Sequence, residues 1–64
     1  MKLGKPKAKL LGQDGNIFNL IGIAKRVLVK DGKKTEAEEM TQKVLMSESY
    51  EKALNIIASY VDIY

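Results

Sequence analysis

Apolar residues recur at helical spacing in three separate stretches of the chain. Ile17, Leu20, Ile21, Ala24, Val27 and Leu28 follow the i, i+3, i+4, i+7 rhythm of a helix that buries one face. This spacing predicts a first helix over about residues 16–30. Phe18 lies beside the stripe and is expected to widen it and anchor the core. Ala37, Met40, Val44 and, at the margin, Leu45 mark a second helix to about residue 46, with Thr41 beside them. Tyr50, Ala53, Leu54, Ile57, Ala58 and Val61 make a third apolar face from about residue 48 or 50 to at least residue 60. The expected core gathers around Phe18, Leu20, Ile21, Leu28, Met40, Val44, Leu54, Ile57 and Val61. Ile23, Val29, Ile56 and Ile63 fall off these faces.

Between the helices the chain is punctuated by turn and cap residues. Lys7, Ala8, Lys9 and Leu10 alternate polar and apolar, which predicts a short strand over residues 7–11. Gly12, Asp14 and Gly15 form a turn, because glycine tolerates the left-handed backbone that turns need. Asp14 or Asn16 can cap the first helix by accepting from its free N–H groups. Gly22 sits inside that helix, at a cost of about 1 kcal/mol against Ala, and a close approach by another backbone or ring is the expected compensation. Asp31-Gly32 stops the helix, with Gly32 as the left-handed residue. Thr35 and Glu38 match a capping box for the second helix, with Glu36 and Glu39 also favoured in its first turn. Ser47 or Ser49 caps the third. Residues 61–64 continue the third helix's face through Tyr64, yet they also alternate like a strand. A lone strand leaves its backbone groups unpaired, so this segment, or that of another chain, is a candidate partner for residues 7–11; the third alternative is that residues 7–11 are extended but unpaired. The fold class is therefore mainly α (α+β): a short N-terminal strand, three packed helices, and a candidate C-terminal strand.

Composition narrows the picture. A chain of 64 residues with no Cys and no His makes one small domain whose margin rests on helix packing or on a partner chain. Residues 1–6 read as a flexible basic arm and residues 7–64 as the domain. No segment has the length of a membrane span, and no signal peptide is evident, so a soluble, cytoplasmic protein is expected. Charge is divided: residues 1–34 carry nine Lys and Arg against two Asp, and residues 35–64 carry two Lys against six acids, giving +7 and −4 and the net +3 of the chain. Opposed halves suit self-association, a protein partner or a polyanion.

The stretch Gly12-Gln13-Asp14-Gly15-Asn16-Ile17-Phe18, running on through Leu20-Ile21-Gly22, resembles that of a group of small bacterial proteins of uncharacterised activity. Some of these are associated with phage or other mobile elements. The resemblance spans about residues 10–61 and implies a shared architecture: a strand-like opening, a Gly-x-Asp-Gly-Asn-x-Phe turn into a helix, an acidic second helix, and a last helix with an aromatic near its start, here Tyr50. It implies no mechanism.

Candidate chemistry is thin. Without His or Cys, the usual general bases and thiol nucleophiles are missing, and the three Ser have no base partner; no catalytic residue is assigned and an enzyme is not expected. Glu36, Glu38 and Glu39 diverge around a helix, and Asp14-Gly15-Asn16 lacks the rest of a calcium loop, so no metal is assigned. The turn at residues 12–16 lacks the Lys-Ser/Thr ending of a phosphate loop and carries Asp14 where the anion would sit, so no cofactor is assigned. Nucleic acid is the remaining ligand class. Lys5, Lys7, Lys9, Lys25, Arg26, Lys30, Lys33 and Lys34 are candidate phosphate contacts. A helix-turn-helix reading around Gly32 fails on the three Glu at the start of the would-be recognition helix, which leaves a backbone-tracking mode using the arm and the first helix. A non-enzymatic protein-interaction module, self-associating or bound to another protein, is the leading expectation, with the backbone-directed nucleic-acid binder as the alternative. Gly12, Asp14, Gly15, Asn16, Phe18 and Gly22 are assigned a structural role.

Overall fold

Helix α1 (Ile17–Lys30) starts where its cap says it should. The Asn16 side chain accepts from Phe18 N at 2.9 Å, and Asp14 Oδ1 accepts from Asn16 N at 3.0 Å, so two side chains satisfy backbone donors at the entrance. The exit is a Schellman turn. Gly32 takes φ +78°, Lys33 N donates to Leu28 O at 2.8 Å and Gly32 N to Val29 O at 3.0 Å, the paired bonds that close a helix on a left-handed glycine. These interactions belong to a computed structural model that describes residues 4–64 of the chain.

The Schellman turn also sets the start of α2 (Lys34–Leu45). Lys33 is the last residue of the turn, and its carbonyl already accepts from Ala37 N at 2.9 Å. Lys33 is therefore the N-cap, and no side chain caps the helix. This corrects the capping box predicted at Thr35 and Glu38: Thr35 lies inside the first turn, because a glycine-closed exit and a helix entry share one residue. Helix α3 (Tyr50–Tyr60) is capped by Ser49, whose side chain accepts from Lys52 N at 3.1 Å.

The chain ends as a strand. β1 (Lys7–Ala8) and β2 (Asp62–Ile63) pair in parallel, Lys7 opposite Asp62 and Ala8 opposite Ile63. Asp62 N donates to Pro6 O at 2.8 Å, Tyr64 N to Ala8 O at 3.1 Å and Leu10 N to Tyr64 O at 2.8 Å. The two candidate strands are thus each other's partners within one chain. β1 then turns at Leu10–Gln13, where Gly12 takes φ +82°, a value an L side chain adopts only under strain. Of the basic arm expected over residues 1–6, residues 1–3 lie outside the described residues. Lys5 Nζ donates to Ala58 O at 2.9 Å, and Gly4 O accepts from Lys33 Nζ at 3.0 Å.

The core joins β1 and the three helices. Ala8 and Leu10 come from the strand side, Leu20, Ile21, Ala24 and Leu28 from α1, Ala37, Met40 and Val44 from α2, and Ala53, Ile57 and Val61 from α3 and its end. Leu28, Met40, Ile57 and Val61 are its largest fully buried side chains. Leu54, predicted for the core, packs partly buried against it, as do Ile23, Ile56 and Ile63, which fall off the predicted helix faces. Phe18 is the main correction: its side chain is 69% exposed. It stands one residue past Ile17, about 100° round a helix of 3.6 residues per turn, and no other element reaches far enough to cover it. Gly22 is a second correction, since a Cβ built there would meet nothing within 4 Å and no close approach explains it.

Candidate functional site

α1 and α2 run antiparallel through the tight turn at residues 31–33, so the start of α1, the end of α2 and the start of α3 share one end of the molecule. There the packing is incomplete. Ile17, Phe18 and Ile21 on α1, Val44 and Leu45 on α2, and Tyr50 and Ala53 on α3 line a mainly apolar groove of about 280 Å³, with Ser47, Glu48 and Ser49 between α2 and α3 on its polar side. Phe18 and Leu45 stand exposed on its rim, and the neighbouring Met46 is 82% exposed. Tyr50, expected on the apolar face of α3, is pulled to the rim by its phenol, which donates to Gly15 O at 2.6 Å. That bond fastens α3 to the turn before α1, and Asn19 Nδ2 adds a second tie by donating to Asp14 O at 3.0 Å. Sequence spacing placed Leu45 at the margin of the buried face; it is exposed because α2 ends at that residue.

The opposite end is cationic. Gly4, Lys5, Pro6 and Lys7 on one side, and Val27, Lys30 and Asp31 on the other, bound an open cleft of about 590 Å³. Period-2 alternation turns Ala8 and Leu10 inward and leaves Lys5, Lys7 and Lys9 exposed on the outer side. The eight candidate phosphate contacts are thus sorted. Lys5, Lys7 and Lys30 line the cleft together. Lys33 is taken up by Asp31, 3.1 Å away, whose side chain is only 3% exposed. Lys5 is held by Ala58 O and by Asp62 at 3.8 Å. Lys9 is exposed on the sheet, Lys25 and Arg26 are exposed on α1, and Lys34 is exposed at the first position of α2; none of these four lines the cleft. Parallel pairing adds a residue that the lysine pattern could not reveal. Tyr64 follows β2 and lines a second hollow, of about 480 Å³, with Lys7, Asp62 and Ile63.

A third cluster ties α2 to α3. Tyr60 Oη donates to Glu39 Oε1 at 2.8 Å, Lys43 Nζ lies 3.8 Å from the same carboxylate, and Lys43 sits 5.4 Å from the centre of the Tyr60 ring. The hydrogen bond and charge of Tyr60, with a smaller contribution from Glu39, raise the Lys43 amine above its ordinary value of 10.5. The cluster is exposed and forms no cavity. Among the described residues no group of three His, Cys, Asp or Glu is placed to hold a metal ion, and no helix is long and apolar enough to cross a membrane. No family model matches the chain, and neither a curated protein nor a solved structure matches it.

Proposed function

We propose that the protein is a non-enzymatic interaction module that pairs with a second copy of itself through the apolar groove. The observation that carries this reading is the position of Phe18, an exposed ring on the rim of a hollow large enough for one. A protruding side chain beside a cavity is self-complementary: across a two-fold axis each Phe18 can enter the other copy's groove. Charge supports the same pairing. Lys25 lies two turns beyond Phe18 on α1, and Glu38 two turns before Leu45 on α2, both exposed. Lys25 and Glu38 can pair between copies, while Glu48, which also lines the groove, is paired with Lys52 of its own chain. A chain this small also gains from burying apolar groups it cannot cover alone. We place the protein in the cytoplasm, consistent with the lack of Cys, and among products of phage or other mobile elements, by the resemblance of residues 12–22.

Sedimentation equilibrium across a concentration range tests the pairing. The native chain is expected to shift from monomer to dimer as concentration rises. Phe18→Asp is expected to remain a monomer with unchanged helical content, because the ring contributes little to the fold of the single chain. A native chain that stays monomeric at every concentration defeats the proposal, as does a Phe18→Asp dimer of native affinity.

A further inference from the structure

A second surface, on residues that do not line the groove, is built by the two strands. In a parallel pair, residues opposite one another project to the same face. Lys7 stands opposite Asp62. The bonds from Tyr64 N to Ala8 O and from Leu10 N to Tyr64 O place Tyr64 opposite Lys9. The outer face of the sheet therefore carries a tyrosine ring beside a row of lysines. Alternate residues along a strand are spaced by about 6.6 Å, so Lys7 and Lys9 present cations at regular intervals along one line. Lys7 lines both the hollow at Tyr64 and the cleft at Lys30, so the two depressions adjoin and form one track from Tyr64 across Lys7 to Lys30.

The charges on this track are available. Among the described residues Lys7, Lys9 and Lys30 make no ion pair and no side-chain hydrogen bond, whereas Lys5 is engaged with Ala58 O and Asp62. Asp62 is the one acid on the strands' outer face, and Lys5 lies near enough to offset it. The Tyr64 ring is 55% exposed, a large flat group with open space in front of it.

We infer that this track binds single-stranded nucleic acid, with Lys7, Lys9 and Lys30 on successive phosphates and a base stacked on Tyr64. The ligand has to alternate anions with flat apolar groups, which a single strand does. A base and an aromatic ring stack whatever the base, and nearby cations neutralise the backbone. A duplex hides its base faces and leaves the ring without a partner. A purely anionic chain would use the lysines and ignore Tyr64. The sequence pointed to backbone contacts from the arm and α1; the sheet adds the base platform.

The test is a fluorescence anisotropy titration of a labelled oligothymidylate of about twelve nucleotides with the full chain. Three neutralised phosphates on a single strand predict a salt slope near −2, so affinity falls about 20-fold between about 50 and 200 mM salt. Lys7→Ala and Lys30→Ala should each reduce that fall to about sevenfold. Tyr64→Leu should weaken binding about tenfold at either salt, and Tyr64→Phe should retain it. Lys52→Ala, on α3 and paired with Glu48, should bind as the native chain does. The inference is overturned by absence of binding at the lower salt, by equal or tighter binding to a duplex of the same length, or by equal competition from polyglutamate. A Tyr64→Leu chain that melts normally and binds at native strength overturns it too. Should Tyr64→Leu fail to fold, unchanged salt slopes in Lys7→Ala and Lys30→Ala decide against it.

Discussion

Replacing Gly22 by Ala should make the protein more stable. Gly22 is the sixth residue of α1, deep enough that its backbone is fully helical. It does not take the positive φ seen at Gly12 and Gly32, and an added Cβ would meet nothing within 4 Å. Alanine therefore gains helix propensity of about 1 kcal/mol, much of it by restricting the unfolded chain, with no steric penalty to set against it. With an unfolding entropy of about 2.1 cal/mol/K per residue and 64 residues, that gain raises Tm by about 7 °C. In urea, with an m-value of about 1 kcal/mol/M for so small a domain, the midpoint rises by about 1 M. Thermal and urea melts followed by circular dichroism, run dilute enough for the chain to be monomeric, read both shifts. An unchanged or lower Tm under those conditions would refute the reasoning, because it would require a neighbour at Gly22 that the fold does not contain.

Phe18→Ala and Ile57→Ala should differ sharply. The first should change stability in urea melts by less than about 0.5 kcal/mol, as exposed substitutions do. The second empties a fully buried position at a cost of about 2–5 kcal/mol, a large share of the total of about 3–10 kcal/mol for a domain this size, and should lower the urea midpoint by about 2 M or more. Tyr50→Phe removes the bond to Gly15 O and should cost about 0.5 kcal/mol, the low end for a neutral hydrogen bond because the site is half exposed; its Tm should fall by a few degrees. The Lys43 amine should titrate above 10.5 in a ¹³C-detected NMR titration and move back towards that value in Tyr60→Phe. Since folding raises this pKa, the associated stability is present below the unfolded value and lost as pH rises through the folded one.

Where local chemistry decided the structure, the sequence was legible. Asn16 caps α1 because a side-chain carbonyl at that point reaches the next free N–H, and Gly32 ends it because only glycine enters the left-handed region without strain. Thr35 misled because capping-box residues compete with whatever precedes them, and here the Schellman turn had already assigned Lys33 to the cap. Phe18 misled for a related reason. Its distance from the stripe is a property of the helix, but whether it is covered depends on where α2 ends and α3 begins. The candidate surfaces were legible only as residues. A row of lysines could be seen, but Lys30 joins Lys7 through tertiary packing, and Tyr64 joins them only through strand pairing.

That pairing has a consequence for how the molecule comes into being. Lys7 and Asp62 are separated by 55 positions along the chain. Closing a loop of that length costs entropy before the contact returns anything. Helices α1 and α2 are joined by a short turn and their contacts are local, whereas the strand contact is not. The track from Tyr64 to Lys30 is therefore complete only when the two strands are joined. A ligand bound there would slow the opening of the whole fold by favouring the one state in which both strands are joined.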